Sequence, residues 1–345
     1  MKKIRWINCA KFIAILAVLM DHTYNILYAN KDYRILSYFS VSLFILLSGQ
    51  TAYLSICKNP MGWFKTFINM SKKLVSAYSV SVFIYMMVRH RFFAARTYLD
   101  YLIHFNVVGA HYFVFLYLQL AVIAKALWNC IYFVRGKKWE VLWETIIFTG
   151  IIFVSYLTTN YTDMFSIYGG GGKLFGGTYL ILFYLGMLLQ RYYQCWAGHT
   201  SAIKSTIVST VSICALIMWG KFERINCFRI DRLIPFGAGI NPPGVSLITM
   251  AVIVMFVAYG VFVLFEQYKY TRWLTVFVSW LGEYTMYMFL YHMLFIQYVL
   301  EDIIIANHCI KIMIWGGINR RTYYNCHSFK VDKKGLLYNC QQQSL

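Results

Sequence analysis

Charge is what this sequence has least of. Only 13% of its 345 residues are Asp, Glu, Lys or Arg, against about a quarter in an ordinary soluble domain. With 60% hydrophobic residues and a mean hydropathy of +0.55, a soluble enzyme carrying one anchor is excluded. Acids are the scarcer sign: 13 of them against 32 Lys and Arg, for a formal net charge of +19. In a soluble chain that excess would point to nucleic acid. Here the bases lie between apolar runs and form no basic stripe with stacking aromatics. No nucleic-acid partner is expected; topology and anionic lipid account for the charge.

Other signatures are missing as well. The nine cysteines show no CxxC spacing. Cys9, Cys57, Cys130, Cys195 and Cys214 stand singly in or beside apolar runs, as small hydrophobes do, so no disulfide framework is expected. His308, Cys309, Cys326, His327 and Cys340 match no standard zinc spacing, and no metal is expected. Gly169 to Gly172, followed by Lys173, lack the spacing and terminal Ser or Thr of a phosphate-binding loop and read as a flexible connector. Lys221 to Asp231 mixes both signs of charge, the pattern of a solvated face. The basic start and first apolar run resemble a signal peptide, but the run is too long, contains Lys11 and precedes no A-x-A site. It reads as an uncleaved first span.

What the sequence has is repeated apolar runs. They fall near residues 6–27, 35–56, 74–90, 111–134, 142–158, 175–190, 203–219, 245–265 and 277–300. Most approach the roughly 17–25 residues that cross hydrocarbon. The expected fold is all-α: a polytopic integral membrane protein with about nine transmembrane helices, some tilted or broken. The 19% aromatic content fits interfacial belts of Tyr and Trp.

Lys and Arg set the expected orientation. Lys2, Lys3, Arg5, Lys58, Lys65, Lys72, Lys73, Arg135, Lys137, Lys138, Arg191, Lys204, Lys269 and Arg272 gather on one side. Fewer bases gather on the other, so the N-terminus is expected in the cytoplasm. Residues 1–305 form the expected transmembrane domain. Residues 306–345 form a polar, basic tail that this orientation strands outside, against the positive-inside rule. The expectation is that a normal final span has been replaced there.

Lys11 and His22 share one face of the first run, roughly 16 Å apart along the axis at 1.5 Å per residue. A cation and a titratable imidazole inside a span are costly and mark a functional pathway by default. Neutral imidazole suits general-base work on a hydroxyl attacking a thioester carbonyl. Lys11 needs a carboxylate, a carbonyl or an anionic ligand at its depth, unless its stem snorkels to the headgroups. Asp21 adjoins His22 in sequence but projects about 100° away on a helix.

Asn8 to Ala14, ending in His22, resembles the first span of acyltransferase family 3, whose pattern is Arg or Lys, ten residues, then His. Ser42 to Gly49 is similar to that family's Phe-Phe-x-x-Ser-Gly segment. His111 to Leu116 is similar to its His-x-Trp-Phe-Leu stretch, with Phe113 in the Trp position. Phe183 to Met187 resembles its Phe-x-x-Gly-Met segment, and Leu281 to Thr285 with Leu290 to His292 its late Leu-Gly and Leu-x-His span. The tail after Ala306 has no counterpart in a pattern that runs to ten helices.

The resemblance implies transfer of an acyl group, most often acetyl, from cytoplasmic acyl-CoA to a sugar hydroxyl of a cell-surface or lipid-linked polysaccharide. It implies a bacterial inner (plasma) membrane location. In that reading His22 is the base or the acyl acceptor, with Lys11 as its catalytic partner and donor contact. Lys72 and Lys73 attract the donor phosphates; Ser48, His111 and His292 line the site. Direct transfer and an acyl-histidine intermediate both remain open. The rival readings are a transporter or flippase of a lipid-linked glycan and an inactive, truncated acyltransferase copy. The absence of an internal repeat counts against the transporter.

Overall fold

The computed structural model describes residues 4–28, 34–90, 94–163, 172–196, 202–226, 231, 236 and 239–300. Among them the chain is helical and contains no strand. The expected boundary at residue 305, the tail, Gly169 to Gly171 and residues 227–230 of the 221–231 stretch lie outside the described residues.

Among the described residues, eleven α-helices follow one another: α1 Arg5–His22, α2 Ser40–Lys58, α3 Trp63–His90, α4 Ala95–His104, α5 Tyr112–Val134, α6 Glu140–Tyr161, α7 Tyr179–Trp196, α8 Ala202–Asn226, α9 Val245–Gln267, α10 Arg272–Glu283 and α11 Thr285–Phe295. Among the described residues, five segments are long and apolar enough to cross a membrane: Ser40–Lys58, Gly109–Val134, Glu140–Tyr161, Ala202–Phe222 and Val245–Gln267. The other expected spans fall short for local reasons. For example, α1 has only 18 residues and carries Arg5, Lys11 and Asp21 among them.

Three details depart from the sequence reading. The third run extends back to Trp63, so Lys65, Lys72 and Lys73 ride on a 28-residue helix instead of a loop. The last run is two helices meeting at Tyr284, where the Thr285 hydroxyl donates to the carbonyl of Gly282. A short helix, α4, occupies what reads as a connector. It buries no residue.

Small residues decide how closely the inner helices approach. A Cβ at Gly49 would strike the backbone of Phe183, and one at Gly186 would strike the backbone of Leu46. The α2–α7 pair therefore meets backbone to backbone. Without a water-driven hydrophobic term between helices in lipid, such contact is a main source of association. Gly282 lets α10 lie against the carbonyl of Asn8 in the same way. There the Cys9 thiol donates to the carbonyl of Thr275 at 3.5 Å. Arg5 fastens the same end of α1 to Glu266 at 2.7 Å.

The periphery is different. Only 17% of the apolar windows of α6 and α8 is buried. On α8, Ile203, Ile207 and Val211 repeat every fourth residue and are all exposed, giving the outward apolar stripe that suits lipid. Between α6 and α7, Arg191 pairs with both Glu140 and Glu144, the Tyr192 hydroxyl donates to Glu144, and the rings of Phe148 and Tyr184 stack. Just before α9, Asp231 accepts from the Ser246 N–H at 3.0 Å. Burial pushes its carboxyl up, against the backbone N–H groups of Ser246 and Val245 that favour the charged form.

Candidate active site

Four helices carry polar groups at two levels of one interior. α1 and α11 run in one sense, α2 and α5 in the other. At the level of His22 lies a cavity of about 780 Å³ lined by Asp21, His22, Arg34, Tyr38, Asn106, Tyr112, Asn241, Phe289 and neighbours. At the level of Lys11 lies a pocket of about 170 Å³ lined by Lys11, Ser48, Thr51, Lys73, Phe113, Phe289 and neighbours. Lys11 and His22 thus face the same interior at different levels, as their spacing requires.

At the His22 end, the His22 and His292 rings lie 4.9 Å apart, centroid to centroid. His292 Nδ1 lies 2.6 Å from the carbonyl of Phe289. A carbonyl only accepts, so Nδ1 carries the proton and neutral Nε2 is left as an acceptor. Among the described residues that buried Nε2 has no partner. Asp21 is not turned to His22. Its carboxylate accepts from Arg34 Nε at 2.9 Å. Arg34 also lies over the rings of Tyr24 and Tyr38, at 4.8 and 5.7 Å from their centroids. The Arg34 side chain is 40% exposed, which places this pair at the cavity mouth. Asn241 belongs to a loop pinned by two phenols: its Oδ1 accepts from Tyr112 at 3.1 Å and from Tyr179 at 2.5 Å. The Thr178 hydroxyl holds the same loop through the carbonyl of Pro243.

At the Lys11 end no carboxylate lines the pocket. Among the described residues Lys11 has no ion-pair partner. Lys73 stands at the pocket with its side chain reaching solvent, while Lys72 is exposed and points away from it. The Ser48 hydroxyl donates to the carbonyl of Phe44 at 2.7 Å, so its proton is committed to its own helix. His111 is fully buried apart from both cavities, between the rings of Tyr78 and Tyr85, with Nε2 3.4 Å from Ser81 Oγ. The structure therefore gathers Lys11, Ser48 and Lys73 at one level and His22 with His292 at the other. It leaves Lys72 and His111 outside both groups.

Sequence reasoning missed Arg34, Asn106 and Asn241. Their signal is not local, because each enters the cavity from a connection between helices. It also did not single out Phe44, Phe113 and Phe289, which line the Lys11 pocket. Phe44 and Phe113 stand inside the stretches that carry the family resemblance, and Phe289 stands one turn before His292. That clustering was the available signal.

A helical bundle that presents a titratable pair at one level and unpaired cations at another is built to move or modify a group inside a membrane. Comparison with known families separates those uses: the model described as an acyltransferase domain matches residues 4–318. The chain belongs to acyltransferase family 3 and is a membrane acyltransferase. No curated protein and no solved structure matches it.

Proposed function

We propose that the protein moves an acetyl group from cytoplasmic acetyl-CoA to a hydroxyl of a cell-surface or lipid-linked polysaccharide. The observation that carries this reading is the pairing of two unlike cavities along one helix. The Lys11 pocket holds cations and apolar walls, which suit an anionic donor with a thioester arm. The His22 cavity holds a base beside an acid, a guanidinium, amides and phenols, the mixed donors and acceptors that polyhydroxyl groups require.

Lys73 draws the donor phosphates to the pocket mouth, and Lys11 meets the donor deeper in. His22 takes the proton of the acceptor hydroxyl as its oxygen bonds to the acyl carbon. The carbon–sulfur bond then breaks, and CoA leaves as a thiol once the proton held by His22 is passed to the sulfur. His292 Nε2, left as an acceptor 4.9 Å centroid to centroid from the His22 ring, receives a His22 N–H when that ring turns toward it during the reaction. With the Lys11 pocket facing the cytoplasm, the N-terminus is cytoplasmic and the membrane is the plasma membrane.

The test uses proteoliposomes with radiolabelled acetyl-CoA and a glycan pool, comparing wild type with His22→Ala and Lys11→Ala. If the reading holds, the rate of glycan labelling falls in both variants, most steeply in His22→Ala. Equal labelling in all three sinks the site. Glycan crossing without donor consumption turns the protein into a transporter.

A further inference from the structure

The two cavities share one wall. Phe44 of α2, Phe113 of α5 and Phe289 of α11 form a triangle of rings between them. Centroids are 4.9 Å apart for Phe113 and Phe289, and 6.1 Å for each of the other two pairs. Interplanar angles of 63° and 70° set Phe44 edge to face against Phe113 and Phe289, and the Phe113 and Phe289 rings are tilted by 53°. These separations lie within the contact range of about 4.5–7 Å, so no aperture remains among the three rings. Phe289 lines both cavities, and Phe44 and Phe113 line the Lys11 pocket. Above the layer these helices and α1 contribute His22, Val41, Tyr112 and Met293. Below it they contribute Lys11, Ser48, Tyr117 and Met286.

Phe44 and Phe289 are 8% and 6% exposed; Phe113 is only partly buried. Phe113 is thus the ring with room to turn. A membrane protein with a cavity at each end of one interior also needs a barrier between them, or water and protons would cross. The ring layer is the apolar group placed to be that barrier.

We propose that Phe44, Phe113 and Phe289 are a gate between the donor pocket and the acceptor cavity, opened by rotation of Phe113, and that the opening sets the size of acyl group transferred. The size-setting part rests on the acyl-transfer reading above; the barrier itself does not. With Phe113 in place, only a short acyl group passes. With the ring removed, longer acyl chains pass, and water from the acceptor side reaches the thioester.

The test has two arms, so that the gate and the reaction fail separately. In the first, Ser48→Cys and Val41→Cys report the pocket and the cavity in sealed vesicles. A charged, membrane-impermeant methanethiosulfonate is added to the His22 side, and modification at positions 48 and 41 is read by peptide mass spectrometry. Position 41 reacts in every background. Position 48 stays protected with Phe113 or Phe113→Leu present. In Phe113→Ala or Phe289→Ala its rate rises on the order of tenfold, equivalent to about 1.36 kcal/mol of closure lost. Two gate variants from different helices guard against one that fails to fold. Equal reactivity of position 48 with and without the rings overturns the gate. In the second arm, acetyl-, butyryl- and hexanoyl-CoA are offered to wild type and Phe113→Ala. A shift toward the longer donors, with faster acceptor-free hydrolysis, supports size selection; an unchanged donor preference overturns it. If wild type consumes no acyl-CoA while position 48 is still gated, the acyl-transfer reading falls with its size rule, and the barrier stands.

Discussion

The cavity around His22 contains a base, an acid, a guanidinium, two asparagines and two tyrosines. The pocket around Lys11 contains two lysines, no acid and a wall of aromatic and aliphatic side chains. The same helices build both, so the contrast comes from register. On α1 it is three helical turns from Lys11 to His22; on α2 the step from Val41 to Ser48 runs the other way. The difference teaches that one bundle interior offers two chemistries. One end can grip a compact anion, and the other can exchange hydrogen bonds with a ligand rich in hydroxyls and move a proton.

Removing His22 breaks the comparison most completely, because the acceptor end then has geometry and no base. His22→Ala is expected to lower the transfer rate by about 10²- to 10⁴-fold, the usual worth of a positioned acid–base group. Donor binding, measured by isothermal titration in detergent, should be unchanged. A parallel loss of donor affinity would mean that the two ends are not separable.

Lys11→Ala should do the reverse. A charge-assisted contact is worth about 1.5–3 kcal/mol, so donor affinity should fall at least about tenfold, with acceptor KM unmoved. Lys11→Arg should recover most of it. Equal affinity in the two variants would show the lysine snorkelling to the headgroups, with no contact to the donor.

How much of this was legible beforehand varies along the chain. Lys11 and His22 announced themselves, because helix geometry turns a spacing of eleven into a shared face. Gly49, Gly186 and Gly282 were legible as members of short motifs, and the structure supplies their reason in blocked Cβ positions. The Asp21–Arg34 pair was not legible, since it closes across a connection whose path no periodicity describes. The break at Tyr284 was hidden by the apolar residues on both sides of Gly282, Glu283 and Thr285, which average into one run: hydropathy reports what a segment is dissolved in and says nothing of a helix ending inside it. The ring layer was hidden for another reason. Its members come from three helices, and a lone Phe in each is indistinguishable from core. The count of about nine spans rested on apolar runs alone, and five of the described helices meet the length and composition of a span.

Arg34 sharpens the contrast from the acceptor side. Its guanidinium bridges Asp21 and two tyrosine faces at the cavity mouth. Because the pair is partly exposed, its electrostatic worth is on the order of 1 kcal/mol or less. Arg34→Ala should raise acceptor KM a few-fold and leave donor KM alone. A donor effect would place the nucleotide in the wrong cavity.

The smallest effect is expected where sequence reasoning saw two equal lysines. Lys73 stands at the pocket and Lys72, its neighbour on α3, faces about 100° away. Both are exposed and both carry one charge, so any long-range attraction of the donor acts on them alike and is screened within about 8–10 Å at physiological salt. Only Lys73 can add a direct phosphate contact. Lys73→Ala should therefore raise donor KM a few-fold in a salt-dependent way. Lys72→Ala should stay within about twofold of wild type, the worth of an exposed charge without a fixed partner. If the two substitutions act equally, the lysines work as a diffuse attractive patch. The donor then meets its first fixed contact only at Lys11.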